Sequence, residues 1–222
     1  NCSNLVWSYA TLRIGNERLF SHMSGQVQSW LVKDFDPQHL SNVLWSYAKL
    51  HICDASLFEA AASEVVKRGL DYLSRTPQNI SNTIWAFGTV VVRPPSLLGV
   101  LERELLTHST YYARLTDTRP LTKSSRAQLA MTVLSLHRLG LNQCLWHLFD
   151  RIAADGLQAG GEAYSNWLFV CEQTKDAKRE LDVLEQMART SHTRGLQGGA
   201  WNCFIIRCLA HGDLARARFG LQ

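Results

Sequence analysis

"SNVLWSYAKL", residues 41–50, comes close to occurring three times in this chain. "SNLVWSYATL" fills residues 3–12 and "SNTIWAFGTV" fills residues 81–90. Asn4, Asn42 and Asn82 stand 38 and 40 residues apart, and Trp7, Trp45 and Trp85 keep the same spacing. One motif per period of that size is the mark of stacked supersecondary units, each too small to bury its apolar face alone.

Each unit reads as a helical hairpin. About 15 residues after each Asn comes a second apolar anchor, Leu19-Phe20, Leu57-Phe58 and Leu97-Leu98. Between the two lie "RIGNER", "HICDAS" and "VVRPPS", with Gly, Asp or Pro where one helix should stop and another start. "DFDPQHLSN" and "SRTPQNISN" place a Pro-Gln step five residues before the repeated Asn, ending one helix and opening the next. Sustained period-2 alternation is absent, so the chain is expected to be all-α.

The pattern changes further on. "THSTYYARLTDTRPLTKSS", residues 107–125, reads as a lengthened helix followed by a polar loop. "RAQLAMTVLSLHRLGL" and "NQCLWHLFDRIAADGL" then form a fourth helix pair without the Asn-x-x-Trp motif. After it Ala163, Tyr164, Cys171 and Asp176 match Ala200, Trp201, Cys208 and Asp213 at an offset of 37. The expectation is an α-solenoid of about six stacked helix-turn-helix units with a period of 37–40 residues. Its segments are residues 1–122, a degenerate hairpin at 123–160, and 161–222.

Composition narrows the function classes. With 46% hydrophobic residues among 222, the chain can bury a substantial core. Twenty-three Lys and Arg against nineteen Asp and Glu leave +4, which permits a polyanionic partner without announcing one. The six cysteines lack the paired spacing of a zinc site and read as reduced thiols in apolar helical patterns. No apolar run approaches the roughly 20 residues of a membrane helix. The chain opens without Met inside a repeated motif, which suggests a piece of a longer protein.

Nothing points to catalysis. P-loop, dinucleotide, G-x-S-x-G and H-E-x-x-H patterns are absent, and the eight His are scattered. Glu180, Asp182 and Glu185 read as an exposed acidic helix face. No catalytic residue, metal site or cofactor is therefore expected.

"NCSNLVWSYATL", "HLSNVLWSYAKL" and "NISNTIWAFGTV" resemble octotricopeptide repeats, over about the first half of the chain. "AYSNWL", "AWNCFI" and "HGDLARA" in the last third resemble pentatricopeptide repeats. The resemblance implies a right-handed superhelix that binds single-stranded RNA in mitochondria or plastids. RNA processing, stability or translation would be its context, or a structural place in an organellar ribosome as a protein-interaction scaffold.

On a helix at about 100° per residue, Leu40, Val43, Leu44, Tyr47, Ala48 and Leu50 gather on one apolar face. Asn42 and Lys49 fall opposite, flanked by Ser46 and Trp45; Asn4 pairs likewise with Thr11, and Asn82 with Thr89. Asn offers an acceptor and a donor to an unstacked base, and modular RNA binders read one base per repeat. A residue that recurs in every unit also suits packing or capping, so the varying Thr11, Lys49 and Thr89 are the better specificity candidates. Trp7, Trp45 and Trp85 could stack bases, but their large apolar area fits inter-repeat core better. In the later repeats the resemblance places base reading at Asn166 and, with less force, at Cys203. Lys175, Lys178, Arg179, Arg207, Arg216 and Arg218 could meet phosphates, although a solvated face accounts for such residues equally.

Overall fold

The computed structural model describes residues 2–31, 36–108, 110–190 and 198–213. Residues 191–197, inside the loop expected to lengthen before the last hairpin, lie outside the described residues. So do residues 214–222, which hold Arg216 and Arg218. Among the described residues regular structure is entirely helical, as the sequence pattern anticipates. None of these helices is long and apolar enough to cross a membrane.

Twelve α-helices are described: α1 (Cys2–Thr11), α2 (Glu17–Leu31), α3 (Pro37–Lys49), α4 (Ala55–Arg68), α5 (Pro77–Val90), α6 (Pro95–Arg103), α7 (Thr110–Leu115), α8 (Lys123–Leu139), α9 (Asn142–Ala154), α10 (Gly161–Thr174), α11 (Ala177–Thr190) and α12 (Gly198–Ala210). Their starts follow the side chains. Asn16 accepts from the Leu19 amide at 3.0 Å, Asp36 from Gln38 at 2.8 Å and Asp54 from Leu57 at 3.0 Å, each satisfying a donor the helix leaves open. Pro37, Pro77 and Pro95 occupy first turns, where a missing N–H costs nothing.

The helix ends reveal a register that residue identity hides. Arg13, His51, Val91, Gly140, Lys175 and Gly212 all have φ between 55° and 84°; the first five each close the first helix of a hairpin, and Gly212 closes α12. The amide just after each bonds back across that helix end: Ile14 to Tyr9 O (2.9 Å), Ile52 to Tyr47 O (2.9 Å), Val92 to Phe87 O (3.2 Å), Leu141 to Leu136 O (2.9 Å), Asp176 to Cys171 O (3.0 Å) and Asp213 to Cys208 O (2.8 Å). This recurring cap marks the turn of five hairpins among the described residues and the end of α12, and it recurs at Gly156 after α9. In the first three, the residue before the second helix comes three positions after the left-handed one, at Asn16, Asp54 and Pro94. In the fourth and fifth it follows immediately, at Leu141 and Asp176. By its turn, the fourth hairpin groups with the fifth.

By contact the chain divides into two units, Asn1–Asp117 with Ser135–His147, and Thr118–Leu134 with Leu148–Gln222; α8 and α9 contribute to both. In the first unit α1, α3 and α5 pack side by side, as do α2, α4 and α6. The two rows meet through a repeated contact: Phe20 of α2 meets Tyr47 of α3 edge-on at 4.9 Å, and Phe58 of α4 meets Phe87 of α5 at 5.1 Å. Such pairs contribute about 0.5–1.5 kcal/mol beyond their buried area. Tyr47 also donates to Phe20 O at 2.6 Å, and burial pushes its phenol well above the ordinary range. Serines preceding the Asn column are buried and bridge helices. Ser41 Oγ donates to Asn79 Oδ1 (3.3 Å), and Ser81 Oγ lies 3.1 Å from the Tyr111 hydroxyl.

The expected lengthened helix after α6 is instead interrupted. A π-helical turn, Glu104–His108, precedes α7, whose Tyr111 and Tyr112 are buried. A 3-10 turn at Leu70–Arg75, not anticipated, buries Leu70 and Leu73 between α4 and α5. The far end of α5 meets α8 closely: a Cβ on Gly88 would lie 2.9 Å from Ser135 Cβ and 3.0 Å from its Cα.

In the second unit α10 packs on α11 and α12. Phe149 meets the fully buried Trp167 edge-on at 5.1 Å. Arg179 grips Asp150 through two bonds of 2.6 and 3.1 Å, which raise its pKa further above neutrality.

Candidate nucleic-acid interface

Counting back from the left-handed caps aligns all first helices. Nine positions before them lie Asn4, Asn42 and Asn82 in the first unit and Asn166 in the second. Six before lie Trp7, Trp45 and Trp85, then Leu134, Phe169 and Ile206. Two before lie Thr11, Lys49, Thr89 and Arg138. Positions −9, −6 and −2 share one side of a helix, so each first helix of the first unit carries a stripe of Asn, Trp and Thr or Lys. Arg138 is exposed and occupies the position of Lys49. Sequence reading missed it because α8 lacks the motif, and only the Gly140 cap reveals the register.

The stripe is not uniform. Asn4 is exposed, Asn42 half-buried and Asn82 only 9% exposed. Asn42 and Asn82 lie on helices packed on both sides, α3 between α1 and α5 and α5 between α3 and α7, whereas α1 has α3 alone beside it in its row among the described residues. Thr11 is exposed but its hydroxyl donates to Trp7 O at 2.8 Å. The Thr89 hydroxyl is buried with no hydrogen-bond partner. The Lys49 ammonium stands 5.9 Å from the Trp45 ring centre, within cation–π range. Ser46, expected beside Asn42 on the open side, is instead fully buried and donates to Asn42 O at 2.6 Å.

The tryptophans match the expected inter-repeat core only in part. Trp7 is 45% exposed, and Trp45 and Trp85 keep part of their surface open. They do meet across repeats, with ring centres 6.2 Å apart and planes inclined by 34°. Their neighbours Val43, Leu44 and Ile84 are the buried residues.

Charge is segregated in this unit. The sequences of α1, α3 and α5 contain no carboxylate, and Lys49 is their one formal charge. The acidic residues lie off these three helices: Glu17 on α2, Glu59 and Glu64 on α4 and Glu102 on α6, among basic Arg18, Lys67, Arg68 and Arg103, with Asp36 capping α3 and Asp54 capping α4. A polyanion meeting the bodies of these helices finds no like charge on them, Asp36 standing at the N-terminal end of α3.

The second unit offers less. Asn166 donates its amide to Ala130 O at 2.8 Å, committing part of its hydrogen-bonding capacity to joining α10 and α8. Arg179 is held by Asp150, and Arg207 by Glu172 (2.6 Å) and Glu180 (3.3 Å). Lys175 and Lys178 are exposed. The Cys203 side chain lies outside the described residues.

Among the described residues no group of three or more His, Cys, Asp and Glu is placed to hold a metal ion. Burial pushes the Cys144 and Cys171 thiols up to about 12, so both are protonated at neutral pH. No protein-family model matches the sequence, and no curated protein matches it significantly.

Proposed function

We propose that this chain is an α-solenoid that binds single-stranded RNA on its first-helix row, without chemistry of its own. The observation that carries the reading is the row itself. It carries a repeated stripe of Asn, Trp and Thr or Lys, with Asn4, Trp7 and Thr11 exposed and Asn42, Trp45, Lys49 and Trp85 half-buried, on helices free of carboxylates. Amide side chains suit the edges of unstacked bases, aromatic rings suit their faces, and Lys49 and Arg138 suit phosphates. The resemblance of residues 1–122 to octotricopeptide repeats and of 161–222 to pentatricopeptide repeats supports the same ligand, and a mitochondrial or plastid setting. The lengthwise groove of such a solenoid would be the binding track.

The test is equilibrium binding of a labelled random single-stranded RNA pool, titrated against salt. Binding should weaken as salt rises, through release of counterions. A Lys49→Gln, Arg138→Gln variant should bind more weakly with a shallower salt slope. A folded protein that fails to bind at low salt ends this reading.

A protein-interaction scaffold, as within an organellar ribosome, is the second reading. Leu5, Leu12 and Ile14 on and after α1 are 42%, 69% and 49% exposed, which suits a partner helix. Capture of a defined protein partner by a chain that ignores RNA would establish it.

A further inference from the structure

The row's hydrogen-bonding side chains are largely committed or sunk, whereas its aromatic surface is not. Thr11 and Ser46 donate to their own helix carbonyls, and Asn82 is nearly buried. The three Trp rings remain partly open although fully buried positions lie directly beside them. Their mutual geometry also differs from that of the two buried pairs joining the helix rows of this unit. Phe20–Tyr47 and Phe58–Phe87 meet at 75° and 86°, as packed aromatic pairs do, while Trp45 and Trp85 are inclined by only 34°. Trp45 and Trp85 tilt toward one another across successive repeats at 6.2 Å, and Lys49 sets its ammonium over the Trp45 ring, 5.9 Å from the centre.

The geometry points to a tryptophan ladder, Trp7–Trp45–Trp85, that holds single-stranded RNA by base stacking, with Lys49 at the phosphate, so that this unit grips RNA with little preference for sequence. The inference rests on the RNA reading above and specifies how that site works. Every base has a face to stack, so a ladder is tolerant where an edge-reading code is strict. The Lys49 ammonium lies over the Trp45 ring, so a base stacking on that face displaces it and leaves the cation to meet the phosphate. The carboxylate-free row leaves the adjoining phosphates unopposed.

The experiment uses the whole chain and labelled strands of about ten nucleotides: oligo(A), oligo(U), and an abasic sugar–phosphate strand of equal length. Oligo(A) and oligo(U) should bind within roughly tenfold of each other, and the abasic strand at least about tenfold more weakly. A Trp45→Leu, Trp85→Leu variant should lose about ten- to a hundredfold in affinity for oligo(A). The Trp45→Phe, Trp85→Phe variant, which keeps a stacking face, should retain most of it. Unchanged oligo(A) binding by the Leu variant, or equal binding of the abasic strand, overturns the ladder while leaving RNA binding intact. Failure of the unsubstituted chain to bind any strand overturns both proposals. Loss of affinity in the Phe variant equal to that in the Leu variant, with helicity unchanged, also overturns stacking.

Discussion

Replacing Gly88 by alanine should destabilise the protein even though alanine is the better helix former. In an open helix interior the exchange gains about 0.5–1 kcal/mol. At Gly88 the new Cβ would stand 2.9 Å from Ser135 Cβ, 3.0 Å from Ser135 Cα and 3.1 Å from its carbonyl oxygen. Two of those three atoms are backbone, so no rotamer change removes the clash, and α5 and α8 must separate. Overpacking of that kind costs about 1–3 kcal/mol, which exceeds the propensity gain and leaves a net loss of about 1–2 kcal/mol. Gly25 in α2 and Gly99 in α6 supply the control, because a Cβ there meets nothing within 4 Å. Each of those should gain about 0.5–1 kcal/mol as alanine. The assay is urea unfolding followed by circular dichroism, comparing midpoints at constant m-value. A Gly88→Ala protein as stable as the Gly25→Ala and Gly99→Ala proteins would refute the close helix approach.

Val91 holds a left-handed backbone, φ 58°, that a β-branched side chain adopts at a cost. Val91→Gly should therefore raise the urea midpoint, by about 0.5–1 kcal/mol in stability after the flexibility of glycine in the unfolded chain is offset. Burial works to raise the Asp54 carboxyl, but hydrogen bonds from the Ser24 hydroxyl, the Leu57 and Ser56 amides and the Ser56 hydroxyl outweigh it and hold the group below its ordinary range. Its stabilising effect is present above the ordinary carboxylate range and lost as pH falls through the folded value. Asp54→Ala should cost about 1 kcal/mol at pH 7, with the gap to the parent closing in acid; a gap constant with pH contradicts this. An aromatic disulfide reagent at neutral pH should modify exposed Cys53 quickly and leave Cys144 and Cys171 unmodified until the chain unfolds.

Much of the fold was legible because it is periodic. The Asn and Trp spacing, the Pro at the starts of α3, α5 and α6 and the Leu-Phe or Leu-Leu anchors locate the first three hairpins, and Phe20 and Phe58 do sit in the core. The helix ends were not legible in the same way. Glycine marks a left-handed cap in sequence, yet Arg13, His51, Val91 and Lys175 take that conformation because the capping bonds of a tight hairpin impose it. The fourth hairpin's kinship and Arg138 stayed hidden for that reason. Side-chain access was the least readable, since it depends on neighbours. Asn4, Asn42 and Asn82 share a similar sequence context but run from exposed through half-buried to nearly buried. Trp offers area enough for a core, and composition alone gives no sign that α1, α3 and α5 would leave it at the surface.

The central claim is that RNA lies on the first-helix row. Ultraviolet crosslinking of a uniformly labelled single-stranded RNA, followed by peptide mapping, tests it most directly. Adducts concentrated within residues 2–11, 37–49 and 77–90, those of α1, α3 and α5, are the predicted result. Adducts confined to α2, α4 and α6, or absent at concentrations where RNA is bound, would contradict it.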